Sequence, residues 1–348
     1  MQGIWFGVVS VMLAFYVVLD GFDFGAGGLH LFVAKTNDER RAVLGAIGPL
    51  WDGNEVWLLA AGGTLLMTFP PVLTAGLSGF YLAIFVVLWL LLLRGISIEF
   101  RSHVQDGLWR AFWDATFAFS SLLLPVLLGA ALGNVVRGVP VDAHGEFNIP
   151  LFTHFSTSNP VGILDWYTIL MGLFALVTLL GHGALFLIWK TQGPVQDRSR
   201  RAARPLWAIV TLLWILTTVG TGWVQPVLFK AFLHSPLAWG LMAVSLAGWA
   251  AIGLGFARSR PLQAFLGSSA FIVGLLATTA ACLFPVMLRS TLNADWSLTA
   301  HNASSAAYGL KAGMGWWIVA FPLVLGYFAF LFWMHRGKVS VPPEGEGY

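Results

Sequence analysis

Charged side chains are scarce in this sequence, and their scarcity excludes most soluble classes of protein. Only 10% of the 348 residues are charged, whereas 57% are hydrophobic. Soluble domains carry about 25% charged residues, so a soluble fold of this composition would lack polar surface. The excess of apolar residues therefore indicates a protein that faces lipid. The net charge of +3 does not indicate nucleic-acid binding, because the basic residues lie in short segments between apolar runs.

The sequence also lacks the residues for several kinds of site. Its single cysteine, Cys282, excludes an intrachain disulfide and a metal site built from thiolates. No two of the eight histidines are four residues apart, so a metal-binding pair on one helix face is absent. No phosphate-binding loop, nucleophile elbow or dinucleotide-binding glycine motif occurs. We therefore expect no metal site in this chain.

Long apolar runs are what the sequence has in abundance. A membrane-spanning helix needs about 20 apolar residues. Nine runs approach that length, with predicted limits 4–28, 48–69, 72–93, 115–136, 164–189, 206–229, 236–256, 262–287 and 315–334. We therefore predict an all-α polytopic membrane protein of about nine transmembrane helices. The first run has no cleavage signature, so we expect it to be a retained span.

Lys and Arg residues are distributed unequally between the two sides of these spans. If the N-terminus is outside, 15 of the 19 basic residues fall on the inner side. The four outer ones are Arg137, Lys230, Arg289 and Lys311. Basic residues concentrate in the cytoplasmic loops of membrane proteins. We therefore predict an N-terminus outside and a C-terminus in the cytoplasm.

A short internal similarity predicts two related halves. The segment Gly28–Thr36 ends the first span and Gly183–Thr191 ends the fifth, and an arginine pair follows each. The predicted division is a first four-helix bundle over 1–137, an outer loop over 138–163, a second four-helix bundle over 164–287, an outer loop over 288–314, and a ninth helix with a cytoplasmic tail over 315–348.

Four carboxylates lie inside or at the edge of the apolar runs. Asp20 and Asp23 share one face of the first span at i,i+3, and Asp52 and Glu55 do the same at the start of the second. Both pairs are predicted to lie in the cytoplasmic third of the membrane. Four carboxylates at one level of a low-dielectric site cannot all ionise at low cost. The group as a whole therefore favours a proton relay.

Each polar residue also has a structural interpretation. Asp52 would cap a helix start, and Asp20 and Asp23 would pair with Arg94 or Arg101 at the headgroup boundary. The inner-side residues after the third span are typical of a solvated face; they are Arg94, Glu99, Arg101 and His103. Asp114 and Asp165 are predicted N-caps of the fourth and fifth spans.

His182 and several glycines lie deep in the spans. A lone membrane histidine is either a haem ligand or a hydrogen-bonded packing residue, and without a second ligand at helical spacing we favour packing for His182. The tandem Gly62-Gly63 and the pair Gly129 and Gly133 indicate close helix contacts.

Several segments resemble the signature segments of subunit II of the cytochrome bd quinol oxidases. The most specific is Trp51-Asp52-Gly53-Asn54-Glu55-Val56-Trp57-Leu58. The others are Leu19-Asp20-Gly21-Phe22-Asp23-Phe24-Gly25, Ala61-Gly62-Gly63, Phe69-Pro70, Ser78-Gly79-Phe80-Tyr81, Glu99-Phe100-Arg101-Ser102, Thr291-Leu292-Asn293-Ala294 and Ala303-Ser304-Ser305. The resemblance is densest over residues 15–137 and continues more weakly to about 334.

The resemblance implies a respiratory complex of the bacterial cytoplasmic (inner) membrane that oxidises quinol and reduces dioxygen to water. In this family, subunit I carries two b-type haems, haem d and the quinol site. Subunit II has nine spans arranged as four plus four plus one and supplies no haem ligand. Some members also hold a structural quinone in subunit II. The expected partners are subunit I, lipid, quinone and small accessory transmembrane subunits.

The resemblance also implies a proton path along the subunit interface, with Asp52 in it and Asp20 and Asp23 nearby. We expect Asp52 to take protons from the cytoplasm, and Asp20, Asp23 and Glu55 to tune or extend the relay. Packing residues near this site are predicted to be Trp51, Asn54, Trp57, Glu99 and Arg101. A proton-coupled secondary transporter and a purely structural assembly subunit remain as alternatives.

Overall fold

A computed structural model describes residues 1–340 of the chain. Within this range the fold consists of twelve helices and one small hairpin. The elements are α1 (Gln2–Val33), α2 (Asn37–Ile47), α3 (Trp51–Thr68), α4 (Pro70–Gly79), α5 (Tyr81–Phe100), α6 (Gly107–Arg137), α7 (Trp166–Lys190), α8 (Gly193–Val224), α9 (Pro226–His234), α10 (Pro236–Ala257), α11 (Pro261–Leu283), β1 (Val286–Leu288), β2 (Leu298–Thr299) and α12 (Ala307–Met334).

The long helices confirm the prediction of a helical, multi-pass membrane protein. Eight helices of the described part are long and apolar enough to cross a membrane; they are α1, α5, α6, α7, α8, α10, α11 and α12. The remaining predicted span corresponds to α3. Its 18 residues extend about 27 Å at a rise of 1.5 Å per residue, and they include Asp52 and Glu55.

The third predicted span, 72–93, differs most from the structure. Pro70 and Pro71 occupy the first turn of the short helix α4, where a missing N–H is tolerated. The backbone at Phe80 then leaves the helical region, and α5 runs from Tyr81 to Phe100. The span is therefore shifted toward the inner side, which moves Arg94 from a loop into a helix.

Helix α1 packs against α3, α6, α7 and α11 and occupies the centre of the fold. A Cβ atom on Gly25 of α1 would lie 2.7 Å from the Cα of Gly183 on α7, so the two backbones approach closely only because both residues are glycine. A Cβ on Gly129 of α6 would likewise lie 2.9 Å from the Cα of Gly172 on α7. These contacts hold the central helices together.

The glycine predictions have mixed outcomes. A Cβ on Gly133 would lie 3.1 Å from the Cα of Thr168, so the prediction of close contacts at Gly129 and Gly133 is confirmed. The same prediction is wrong within this chain for Gly62 and Gly63, because an added Cβ would meet no described atom within 4 Å. This pair lies where no other described helix covers α3.

The two long outer connections touch each other. Strands β1 and β2 form an antiparallel hairpin, and Val139 forms a β-bridge with Ser290. The Asn159 side chain donates a 2.8 Å hydrogen bond to the carbonyl of Thr291. The sequence analysis did not foresee this hairpin. The division of the chain into two bundles, two loops and a ninth helix stays a prediction.

Helix α2 lies outside the spans and is tied to α8 through Glu39. The Thr36 hydroxyl and the Glu39 carboxylate form a capping box at the start of α2. Arg198 of α8 donates a 2.7 Å hydrogen bond to Glu39. Burial raises the pKa of Glu39, but the hydrogen bonds from Arg198 and from the backbone of Lys35 and Thr36 outweigh it and hold the pKa below its usual value.

Replacing Glu39 with glutamine should lower stability by about 1 kcal/mol or less at pH 7, because the amide can keep the capping box but loses the ion pair with Arg198 and the negative charge at the start of α2. A lowered carboxyl pKa means that the contribution is present above the ordinary value of 4.5 and fades as the pH falls below it. Thermal midpoints of the purified protein and its Glu39→Gln variant should therefore differ at pH 7, and the difference should shrink as the pH is lowered below 4.5. The control is Asp197→Asn, an exposed carboxylate outside the first turn of α8, and an equal loss in that variant would contradict the assignment.

Candidate functional site

Two buried layers of charge follow the same faces of α1 and α5. Asp23 and His30 are seven residues apart on α1, and so are Arg94 and Arg101 on α5. Seven residues are close to two helical turns, so each pair shares a face and is separated by about 10 Å along the axis. All four side chains are buried. The layers therefore lie one above the other in the C-terminal parts of these helices.

The first layer, called here the Arg94 cluster, consists of Asp20, Asp23, Asn54, Glu55 and Arg94. The Arg94 Nη1 donates a 2.5 Å hydrogen bond to Asp20 Oδ1. Its Nη2 lies 2.7 Å from Glu55 Oε1. The Arg94 and Asp20 side chains are completely buried, whereas 26% of the Glu55 side chain is exposed. One guanidinium thus links a fully buried carboxylate to one at the surface of the chain.

Aromatic rings enclose the guanidinium of Arg94. Its Cζ lies 4.9 Å from the centroid of the Phe24 ring and 5.9 Å from that of Trp51. Contacts of this kind stabilise a cation while excluding water. The guanidinium is therefore held in place by rings as well as by carboxylates.

Asp23 belongs to the same cluster but has no cation of its own. Its Oδ2 accepts a 2.8 Å hydrogen bond from the side-chain amide of Asn54. The Asn54 amide also donates to the carbonyl of Leu19 at 3.1 Å, which ties α3 to α1. The other oxygen, Asp23 Oδ1, is buried without a hydrogen-bond partner in the described structure. The cluster therefore holds three carboxylates and one guanidinium, and Asp23 is the carboxylate that does not pair with it.

Asp52 occupies a different position from the other three predicted carboxylates. It lies in the first turn of α3 with an exposed side chain, one turn before Glu55. The N-cap of α3 is Leu50, which forms no side-chain cap, so the structural interpretation of Asp52 as a cap is wrong. A carboxylate in a first turn still interacts favourably with the helix dipole.

The predicted packing residues divide into buried and exposed ones. Trp57 is buried, stacks on Phe15 at 4.9 Å between centroids, and contacts Phe328 of α12 at 5.6 Å. Trp51 is half-buried beside Arg94. Glu99 is exposed. Trp57 therefore anchors α3 against α1 and α12.

The second layer, called here the Asp114 cluster, lies closer to the C-terminal ends of α1 and α5, and it corrects two predictions. Asp114 is not an N-cap: α6 begins at Gly107 with Asp106 as its cap, because the helix continues beyond the apolar run. Asp114 is buried and accepts hydrogen bonds from Arg101 Nε at 2.6 Å and Arg40 at 2.7 Å. His30 Nε2 lies 2.6 Å from the same carboxylate.

The prediction of a solvated face after the third span is therefore wrong for Arg94 and Arg101. Arg94 is completely buried and Arg101 is 2% exposed. Glu99 and His103 are exposed, as that prediction requires. The suggested ion pair of Asp20 with Arg94 does form. Arg101 instead joins α5 to Asp114 of α6 and to Asn37 of α2.

The outer end of the fold has its own buried ion pair. Asp165 caps α7 by accepting hydrogen bonds from the backbone of Tyr167 and Thr168, so that prediction is confirmed. Arg137, counted as an outer-side basic residue, is buried and forms an ion pair with Asp165. The pair connects the end of α6 to the start of α7.

The buried histidine of α7 does not fit a haem ligand. Both ring nitrogens of His182 are engaged: Nδ1 lies 2.6 Å from the Ser268 hydroxyl, and Nε2 lies 3.0 Å from the carbonyl of Val18. The ring also stacks on Phe265 at 4.9 Å. These contacts agree with a packing role. Among residues 1–340, no group of three or more His, Cys, Asp or Glu side chains is arranged to hold a metal ion.

The fold and the site together define a class of protein: a polytopic helical membrane protein with carboxylates buried around one arginine. The family comparison is more specific. A family model described as cytochrome bd terminal oxidase subunit II matches residues 1–335. The chain therefore belongs to the cytochrome bd terminal oxidase subunit II family, and a subunit I partner and haem cofactors belong to the complex that this family implies.

Individual relatives agree with this assignment. The chain is 31% identical to the cytochrome bd ubiquinol oxidase subunit 2 of Bacillus subtilis (strain 168), over 98% of this chain and 97% of the relative. It is 29% identical to the cytochrome bd-I ubiquinol oxidase subunit 2 of Escherichia coli (strain K12), over 97% of this chain and 94% of the relative. Among solved structures, the bd oxidase from Geobacillus thermodenitrificans has the same fold, with a TM-score of 0.73 and 15% identity over 96% of this chain and 98% of that chain.

Proposed function

We propose that this chain is subunit II of a quinol-oxidising bd oxidase and that it supplies a cytoplasmic proton path to the partner. In this proposal, subunit I carries two haems b, haem d and the quinol site, and this chain ligates none of them. The reduction of one dioxygen to two waters consumes four protons. A buried oxygen-reducing centre needs a route for those protons through apolar protein. Family membership supports this assignment over a secondary transporter.

The Arg94 cluster supports the proton path. If Asp20, Asp23 and Glu55 were all ionised beside one guanidinium, the buried site would carry uncompensated negative charge. A proton shared among these carboxylates removes that cost, so the cluster is suited to accept and release one. Glu55 is partly exposed and Asp20 is completely buried, with Arg94 between them. Protons would enter near Asp52 and Glu55 and move inward to Asp20 and Asp23.

The proposed location is the bacterial inner membrane, with the N-terminus periplasmic and the C-terminus cytoplasmic. The distribution of Lys and Arg supports this orientation. It puts the Arg94 cluster on the side from which protons are taken up. Because quinol releases its protons on the outer side, each turnover moves net charge across the membrane. Each charge that is moved stores about 2.3 kcal/mol at a membrane potential of 100 mV.

Neutral variants at the entrance test the path. Glu55→Gln should lower oxygen consumption per haem about fivefold, because the residue that links Asp52 to Arg94 can no longer carry a proton. Asp52→Asn should lower it less, since its exposed position lets water replace it in part. The measurements are oxygen consumption and charge translocation by purified complex in proteoliposomes, normalised to haem content. Asp38→Asn, an exposed change on the same side, is the control.

The same variants distinguish a proton path from a purely structural role. If Glu55 and Asp52 only stabilise helix packing, the yield of complex will fall while turnover per haem stays at the wild-type value. Unchanged oxygen consumption and charge translocation in assembled Asp52→Asn and Glu55→Gln complexes would rule out the proposed entrance.

A further inference from the structure

An apolar groove lies between α8 and α10, and none of its lining residues belongs to the Arg94 cluster or the Asp114 cluster. Its volume is about 550 Å³, and its walls include Trp207, Thr211, Trp249 and Gly253. The Trp249 indole donates a 3.0 Å hydrogen bond to the Thr211 hydroxyl, so the polar atoms of this wall are satisfied internally. Gly253 leaves the groove open, because a Cβ there would meet no described atom within 4 Å.

The mouth of the groove is basic. Arg204 lines both the groove and an adjoining recess of about 50 Å³, where Arg200 and Arg260 lie as well. These arginines come from the start of α8 and the loop before α11. Among residues 1–340, no carboxylate forms an ion pair with any of the three. Three guanidinium groups thus lie at or beside one end of an apolar slot, and no carboxylate of the described residues is paired with them.

We propose that this groove binds one anionic phospholipid, with its phosphate at Arg200, Arg204 and Arg260 and an acyl chain along Trp207, Trp249 and Gly253. The two parts of the site match the two parts of such a lipid. Basic recesses between membrane helices attract anionic headgroups. Arginine also forms paired hydrogen bonds with phosphate oxygens.

Other occupants match the site less well. A quinone is neutral and leaves the guanidinium groups unpaired. An apolar transmembrane helix in the same groove would bury at least Arg204 without a counter-ion, which is strongly unfavourable. A free inorganic phosphate has no apolar part to fill the slot. An anionic phospholipid satisfies the charge and the apolar surface together.

Two variants separate the headgroup from the acyl chain, and each has a matched control. Arg204→Gln removes a central guanidinium, and its control is Arg201→Gln, an exposed neighbour outside the groove. Gly253→Leu fills the slot, and its control is Gly240→Leu on the same helix, where an added Cβ also meets nothing within 4 Å. The complex is purified in mild detergent, and bound lipids are counted by native mass spectrometry. Thermal midpoints are then measured with added dioleoyl-phosphatidylglycerol or dioleoyl-phosphatidylcholine.

We expect the wild type and both controls to retain one more anionic phospholipid per complex than Arg204→Gln and Gly253→Leu do. Phosphatidylglycerol should raise the midpoint of the wild type and both controls more than phosphatidylcholine does, and this preference should be lost in the two groove variants. Equal lipid retention in all five proteins would overturn the proposal. The proposal would also be overturned if the Gly253→Leu complex lacked a bound quinone or a small protein, and not a lipid, that the wild type retains. Stabilisation of the wild type by inorganic phosphate alone would overturn it as well.

Discussion

Replacing Arg94 with glutamine is expected to reduce the yield of assembled complex at least about tenfold. Arg94 is the cation that Asp20 and Glu55 share, and its removal leaves buried carboxylates without a counter-ion. Breaking a buried ion pair by removing one partner typically costs about 3–5 kcal/mol, a large part of the stability of a protein. The measurement is the amount of haem-containing complex recovered from membranes by affinity purification of this subunit.

A second variant tests whether charge is the cause. Arg94→Gln combined with Asp20→Asn removes one charge of each sign, so we expect it to recover much of the lost yield. The control is Arg258→Gln, which changes an exposed arginine. Its free energy of unfolding should stay within about 0.5 kcal/mol of the wild-type value, so its yield of complex should be unchanged. Wild-type yield in Arg94→Gln alone, or no recovery in the double variant, would contradict the charge argument.

The position of Arg94 shows why part of the site escaped sequence analysis. The predicted third span ended at residue 93, and an arginine beyond it resembles a loop residue. The helix instead begins at Tyr81, after the short helix that starts at Pro70. From Tyr81 only about 13 residues precede Arg94, too few to cross a bilayer, so this span has to continue past the arginine. Pro70 and Pro71 were the available sequence signal, because a double proline marks the start of a new helix and so shifts the limits of the next span.

The carboxylates were easier to find because their spacing is local. An i,i+3 pair shares a helix face whatever the tertiary structure, so the two carboxylate pairs, Asp20 with Asp23 and Asp52 with Glu55, could be predicted from spacing and depth alone. Asp114 was misjudged for the opposite reason. Its partners His30, Arg40 and Arg101 come from α1, from α2 and from the end of α5, and no pattern within one helix predicts contacts between separate helices.

Replacing Asp23 with asparagine is expected to leave assembly intact and to lower turnover per haem at least about tenfold. The Asn54 amide can still donate to the new side-chain oxygen, so the link between α1 and α3 is retained. No guanidinium loses a partner, because Asp23 forms no ion pair in the described structure. What is lost is a buried carboxylate that has one unpartnered oxygen, as Asp20 has, but that, unlike Asp20, pairs with no guanidinium, so it is the group of this cluster best suited to hold a proton in transit.

The contrast with Asp20 makes this expectation specific. Asp20→Asn takes a charged partner from Arg94 and should reduce the yield of complex, whereas Asp23→Asn should reduce the rate of a complex that assembles normally. Oxygen consumption per haem d and charge translocation in proteoliposomes distinguish the two, with Asp295→Asn in the exposed outer turn as a control. If Asp23 carries protons, the Asp23→Asn complex will assemble with full haem content, and its oxygen consumption and charge translocation will fall together. Wild-type values of both rates would mean that the proton path lies elsewhere in the complex.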